Sequence, residues 1–270
     1  MITEKEILEA LQIDAPELRY RASFAKWKLS RFQQEALTEG WQERFAAAVA
    51  EGQARENEER DRAQVASLYR HALAGGLSAL SKFTVAEMAE WIKTPRLSAL
   101  ATGYDPARDG GRLVLGPTGI GKSVTGASTI QNHIKARHIA AKAKAPEDNT
   151  YGWGRHTSAL WVRALDLPNA RLQQALGKGE VELVTAAATA DYVVLDDLGW
   201  ESRRAGADDV VAEVLARRYD AGLVTFVTSG MTLEQLRERY SDAIVRRITE
   251  AGGLPGKVVD LWKQAALKAV

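Results

Sequence analysis

Hydrophobic and polar positions change their period along this 270-residue chain. Up to about Leu80 the apolar residues recur at helical spacing. Ile7, Leu8 and Leu11 share one face, and Trp27, Phe32, Trp41, Phe45, Val49, Val65, Leu68 and Tyr69 continue the pattern between charges. Thr3-Glu4-Lys5-Glu6 has the form of a capping box ahead of the first helix. Pro16 stands at the tolerated first position of a second. Glu51 to Arg62 is almost wholly polar, which predicts a solvated helix or a hinge. Gly75-Gly76 interrupts the pattern, Phe83 to Ile92 reads as a short helix, and Thr94-Pro95 is expected to close it.

From Leu97 short apolar runs alternate with helical stretches, the texture of a parallel α/β sheet. The predicted strands are Leu113–Leu115, Ala159–Val162, Tyr192–Leu195 and Val224–Val227. Helices are predicted from Ser123 to about Ala143, from Leu167 to about Leu176 and from Asp208 to about Tyr219, and the chain is helical again after Leu233. Pro146 to His156 reads as an exposed loop, Gly252 to Gly256 as a break, and Lys257 to Val270 as a short tail. The expected organisation is a small all-helical N-terminal, partner-binding region over residues 1–95, then an α/β domain over 96–270.

Composition bounds the function classes. With 46% hydrophobic and 26% charged residues the chain can bury a core. Its net charge of +1 names no partner, so a nucleic-acid contact has to come from a local patch. Residues 1–95 carry a net −2 and residues 96–270 a net +3, which leans the N-terminal region toward a protein partner. The absence of cysteine excludes disulfides, cysteine zinc sites and thiol catalysis. No apolar run approaches the ~18 residues that span a bilayer, and the N-terminus lacks a secretory apolar core. A soluble, cytoplasmic protein without a membrane partner is expected.

Chemistry enters at Gly116-Pro117-Thr118-Gly119-Ile120-Gly121-Lys122-Ser123, which fits the phosphate-binding pattern G-x-x-x-x-G-K-[ST]. A predicted strand precedes it and a predicted helix, opening at Ser123-Val124, follows. In that context the loop N–H groups and the positive end of the helix dipole converge on a polyphosphate. Lys122 is expected to reach the β- and γ-phosphates of ATP, and the Ser123 hydroxyl to ligate Mg²⁺. Tyr192 to Leu195 then leads into Asp196-Asp197, an apolar strand ending in two acids, 74 residues after Lys122. That arrangement assigns Asp196 to Mg²⁺ and Asp197 to the general-base role.

Two weaker features follow. Thr225 to Gly230 is a strand ending in the hydroxyls of Thr228 and Ser229, which can hold an attacking water or the γ-phosphate, or serve as ordinary turn chemistry. Ile244 and Ile248 mark a buried helix face, so Arg247 need not share it. Arg247 is either part of a solvated basic face or an arginine that reaches a neighbouring subunit's γ-phosphate.

The order GPTGIGKS, ADYVVLDDLG, LARRYDAGLVTFVTSG, DAIVRRI resembles the AAA+ ATPases that load bacterial replicative helicases, the DnaC kind. It is equally similar to the transposition-helper ATPases of insertion sequences, the IstB kind. The resemblance covers about residues 96–262. It implies a P-loop AAA+ fold, with Lys122 and Ser123 as the Walker A pair and Asp196 and Asp197 as the Walker B pair. It also implies Thr228 and Ser229 at the first sensor and Arg247 as the arginine finger. Gly230 stands where the family often has Asn, which implies slow hydrolysis. The short tail agrees with the family's lack of a full C-terminal lid. Such proteins form homo-oligomers with ATP at subunit interfaces, and contact single-stranded or duplex DNA through basic residues around a pore. Arg163, Arg171 and Lys178 are candidates, with Lys135, Arg137, Lys142 and Lys144 as a second set. Either set is more often a solvated face than a DNA contact. Trp153 in the predicted loop can stack on a base.

The resulting expectation is an ATPase that loads or remodels a replicative helicase. Its rivals are a transposase helper that binds duplex DNA, and an ATP-gated scaffold that hydrolyses little. A small-molecule kinase has no evident acceptor lid in this sequence.

Overall fold

The computed structural model describes residues 41–73, 76–144, 158–175, 177–201, 209–250 and 257–262. The expected capping box at Thr3-Glu6, the helix opening at Pro16, the positions of Trp27 and Phe32, the loop carrying Trp153, the break at Gly252–Gly256 and the last eight residues lie outside them. Two compact units are present, Met1–Gln64 and Val65–Val270.

Helix α1 (Trp41–Ala72) is the N-terminal element of the described chain. Its polar stretch Glu51–Arg62 is a continuous, largely exposed helix rather than a hinge, with Arg62 on Glu58 at 2.5 Å. In the second unit a 3-10 turn (Ser78–Lys82) leads to α2 (Val85–Glu90), α3 (Pro95–Gly103) and α4 (Pro106–Asp109). Thr94-Pro95 therefore opens a helix where it was expected to close one. Thr94 Oγ1 accepts the Leu97 N–H at 3.3 Å, and Pro95, which has no N–H to place, fills the first turn. Asp105-Pro106 repeats the device, Asp105 accepting the Ala107 N–H at 3.0 Å.

The remaining elements are β1 (Arg112–Leu115), α5 (Lys122–Lys144), β2 (Ala159–Arg163), α6 (Asp166–Gln173), α7 (Glu182–Thr189), β3 (Tyr192–Asp196), α8 (Val210–Asp220), β4 (Val224–Ser229), α9 (Leu233–Glu250) and β5 (Lys257–Asp260). All four predicted strands form. The fifth, β5, replaces the start of the expected tail: Val258-Val259 pairs with Leu113-Val114 along the outer side of β1. Two valines are too short a run to announce a strand, and the segment becomes one because β1 offers it an edge. Helix α7 was likewise unannounced. Helix α9 bends at Ser241, whose φ is +74°.

The sheet is wholly parallel, in the order β2-β3-β4-β1-β5. Helices cover both faces, as parallel sheets require. One face carries Leu113, Leu115, Val193, Leu195 and Val227 against α6, α7, α8 and α9. The other carries Val114, Val194, Phe226 and Val259 against α2, α3, α5 and the end of α1 through Tyr69 and Ala72. The residues from Val65 to Ile92 thus belong to the same core as β1, although the texture of the sequence changes only at Leu97. This is the parallel P-loop α/β fold that was expected. Among the described residues no helix is long and apolar enough to cross a membrane.

Burial of polar groups is handled by full pairing. The Arg218 guanidinium, 0% exposed, donates to Ala187 O, Ala190 O, Val224 O and Thr225 Oγ1, tying the end of α7 to β4. Gly126 lets α5 lie directly on β3, since a Cβ there would come within 2.6 Å of Val194.

Beneath α5, His133 is 5% exposed, its ring 5.0 Å from that of Tyr192. Burial, assisted by Arg137, lowers its pKa to about 4, against weaker opposition from Asp105 and Asp191. In the unfolded chain the ring takes its proton near pH 6.5, so acid favours unfolding. The stabilisation is complete above that pH and is lost as pH falls toward 4. Its size is on the order of 3 kcal/mol. Urea unfolding at pH 7 and pH 5 should show a drop in midpoint for the wild type that is smaller in His133→Gln. Equal drops in both proteins would mean that the ring is not the titrating group.

Candidate functional site

The glycine loop joins the end of β1 to α5, at the C-terminal edge of the sheet where open α/β folds bind ligands. Gly119 and Gly121 sit at φ +82° and +100°, conformations that a side chain disfavours. A Cβ on Gly121 would also press on the Ile92 backbone at 3.1 Å, and Lys93 N–H donates to Ile120 O at 3.3 Å. The segment before α3 therefore braces the loop from below. Pro117 and Ile120 are partly exposed, while Thr118 and Gly119 form the open crest. Gly116 is buried against Leu261 and donates its N–H to Ser229 O at 3.2 Å.

Lys122 curls back into this loop. Its Nζ donates to Gly116 O and Pro117 O, both at 2.9 Å, and the residue is 6% exposed. Desolvation lowers its pKa, and the charges of Asp197 and Asp196 oppose that. Asp196, 2% exposed at the end of β3, has its pKa raised by burial and by Asp197, against hydroxyl bonds from Thr228 and Ser123 and the charge of Lys122. Lys122, Ser123, Asp196 and Asp197 are thereby within electrostatic or hydrogen-bonding reach of one another, although they come from separate parts of the chain. Val124, next in α5, is partly buried against the core around Val114.

Between β1 and β3 lies β4, and its end ties the cluster together. Thr228 Oγ1 donates to Asp196 Oδ1 at 2.5 Å and accepts the Asp197 N–H at 3.1 Å. Ser229 Oγ donates to Leu198 O at 2.6 Å and accepts the Met231 N–H at 3.0 Å. Both hydroxyls are fully buried. Of the two readings open for them, the structure gives each a strand-end positioning task, and for Thr228 the group positioned is the acid pair itself. Asp197 has φ +54°, a left-handed conformation held by this clamp and by the turn at Gly199. Its side chain remains partly exposed. Over Gly230 lies the exposed Trp200, whose Nε1 would be 3.4 Å from a Cβ there.

Arg247 is not part of this cluster. It is partly exposed in the second half of α9, one residue from Ile248, whose carbonyl packs on Gly111 just before β1. That places it toward the opposite end of β1 from the loop, on the order of 10 Å away along the strand. The basic candidates also divide. Arg163 pairs with Asp166 at 3.0 Å, and Arg171 is held by Glu180 and, at 2.8 Å, by Glu213. Lys178, Lys135 and Arg137 are exposed, and the side chains of Lys142 and Lys144 lie outside the described residues. Missed by the sequence reading were Ile92-Lys93 as a support for the loop and the buried Glu201, which accepts the Gly199 N–H at 3.0 Å. Neither carries a motif.

The buried carboxylate with a serine hydroxyl on it, beside a lysine folded into a glycine loop, suits a divalent cation held with a polyphosphate. No protein-family description matches the chain, and no curated protein does. Among solved structures it is similar to DnaI, with 22% identity and a TM-score of 0.41 over 65% of this chain and 82% of that one. It is similar to an AMPPCP-bound DnaA from Aquifex aeolicus, with 17% identity and a TM-score of 0.40 over 66% of this chain and half of that one. A third similar structure, at 19% identity and a TM-score of 0.42 over 61% of this chain and 86% of the other, is a DnaC helicase loader, the kind of protein that the motifs resemble.

Proposed function

We propose that this chain is an AAA+ ATPase that binds ATP with Mg²⁺, hydrolyses it between the subunits of a homo-oligomer, and loads or remodels a replicative helicase on DNA. The observation that carries the reading is the convergence of Lys122, Ser123, Asp196 and Asp197 beside an open glycine loop. Loop N–H groups and the α5 N-terminus would bind the phosphates, and Lys122 would exchange its two loop carbonyls for phosphate oxygens. Ser123 and Asp196 would hold Mg²⁺, which when bound neutralises charge on the β- and γ-oxygens. Asp197 is the general base in this reading, because it is the acid of the pair with exposed surface. Thr228 is a positioning residue for both acids, with Ser229 holding the turn behind them. Arg247 lies away from its own subunit's loop, which suits a role on the ATP of the next one.

ATP binding and turnover test this directly. Lys122→Ala should lose binding of a fluorescent ATP analogue, and Asp197→Asn should keep binding but slow hydrolysis by about a hundredfold or more. Turnover unchanged in both would remove the site. Hydrolysis that is absent in the wild type, alongside ATP-dependent assembly, would favour the scaffold reading.

The Thr228 clamp has its own signature. Thr228→Val leaves the Asp196 oxygen without its donor and the Asp197 N–H without its acceptor, at a cost of about 1–3 kcal/mol in urea unfolding. Hydrolysis should fall more than ATP affinity. Thr228→Ser, which restores the hydroxyl, should recover most of both.

A shared site predicts complementation. Arg247→Ala alone should reduce hydrolysis by about a thousandfold, the scale of a removed arginine finger. Mixed with Lys122→Ala, it should regain part of the activity, because some interfaces then combine an intact loop with an intact arginine. A mixture as inactive as its parts would count against the arginine acting between subunits.

A further inference from the structure

At the other end of the sheet an open groove of about 700 Å³ runs between α3, α4 and the start of β5. Its cations are Arg96, Arg108, Arg112 and Lys257, and its one carboxylate is Asp109. Asp109 is already committed: it accepts from Arg108 at 2.8 Å and from the Asp105 N–H at 2.9 Å, and lies 4.0 Å from Arg112. Arg112 is 6% exposed, with its guanidinium 5.3 Å from the Tyr104 ring centre and two of its bonds made to Asp109 O and Gly111 O. Arg96 and Lys257 are exposed and have no ion pair among the described residues. The groove therefore carries an excess of positive charge that nothing described in the chain neutralises.

Two further properties select what it would hold. Leu100 and Ala99 on one wall and Val258 and Val259 on the other are apolar. Strand β5 is also an edge among the described residues: it pairs with β1 alone. Lys257 and Leu261 give their N–H groups to Gly111 O and Leu115 O. By the alternation of a parallel ladder the N–H and C=O groups of Val258 and Asp260 point the other way, along the open side. A sugar–phosphate backbone would satisfy only the cations. An extended polypeptide in which apolar residues alternate with acids satisfies the cations, the apolar walls and the strand edge together.

We propose that this groove docks an extended acidic segment of a partner protein, added as a strand to the free edge of β5. The site is separate from the nucleotide loop, which follows the opposite end of β1, and the proposal does not depend on the ATP reading.

Fluorescence anisotropy with the full chain tests it, using a labelled peptide alternating Val and Glu, its Val/Lys counterpart and labelled oligo(dT). The Val/Glu peptide should bind with a Kd below about 1 mM, and the Val/Lys peptide should not bind. Arg96→Glu combined with Lys257→Glu should weaken binding about tenfold or more. Val258→Pro removes an edge N–H without touching charge, at a kind of position where proline is tolerated, and should weaken it comparably. If Val258→Pro fails to fold, the charge reversal still decides, because both side chains are exposed. Absence of Val/Glu binding, or binding indifferent to the charge reversal, would overturn the proposal. So would oligo(dT) binding that competes with the Val/Glu peptide, is weakened by the charge reversal and is unaffected by Val258→Pro, since the groove would then be a nucleic-acid surface. ATP binding and hydrolysis should be unchanged in the Arg96→Glu, Lys257→Glu variant, whose two side chains are exposed and away from the nucleotide loop, so loss of the groove and loss of the nucleotide reading are read separately.

Discussion

A carboxylate held out of water needs partners, and the site is arranged around giving Asp196 its own. At 2% exposure its charged form is disfavoured by burial, and the adjoining Asp197 disfavours it further. The Thr228 hydroxyl, the Ser123 hydroxyl and the Lys122 amine act in the opposite direction. They come from β4 and from the first turn of α5, and Asp196 itself from β3. Satisfying one buried acid therefore fixes the mutual position of three elements, and the ends of β3 and β4 cannot separate without exposing the carboxylate or stranding it. The same Thr228 oxygen accepts the Asp197 N–H, so the left-handed turn that presents Asp197 is stabilised by the bond that holds Asp196.

The loop depends on close approach rather than on charge. Gly116 has Leu261 and Ile120 where a side chain would be, and Gly121 has Ile92. Glycine at both positions lets the loop sink between the end of β5 and the segment before α3, and its crest stays open above. Short β5 and the Ile92-Lys93 segment thus have a purpose that their sequences do not advertise: they are the walls against which the loop is formed. This is also why the compact unit reaches back to Val65 and does not begin where the strands begin.

What could be read in advance follows from where the information is stored. Strands β1 and β3 are buried runs of mostly apolar residues that stand out from their surroundings, and β2 and β4 carry Leu160-Trp161-Val162 and Val224, Phe226 and Val227. The loop and the acid pair are legible because their chemistry fixes residue types at fixed spacing. Thr94-Pro95 was misread for the opposite reason: a proline signals a helix boundary without saying which side of it the helix lies on, and the capping bond to Leu97 is visible only in three dimensions. The role of Arg218 was not legible: its four acceptors belong to α7, the residue that caps it, and β4, and no local pattern encodes that. Arg163 and Arg171 looked free for nucleic acid. Their partners Asp166, Glu180 and Glu213 are three to forty-two residues away, and pairing at that range is invisible to a charge count.

The two ends of the sheet have different logic. At the C-terminal ends of the strands, backbone N–H groups, a helix N-terminus and a lysine favour negative charge, and in the proposed reading the acids beside them would make the site selective for a phosphate that arrives with a cation. That constellation is closed from below by β4 and β5 and open only above. At the N-terminal ends the cations are side chains contributed by α3, α4, β1 and β5 around a groove with apolar walls, and they have no acid pair among them. A bound metal would find only the Asp109 carboxylate, already committed to Arg108 and the Asp105 N–H, whereas a polypeptide would find backbone groups to pair with. Charge alone does not distinguish the two sites; the groups that stand next to the charge do.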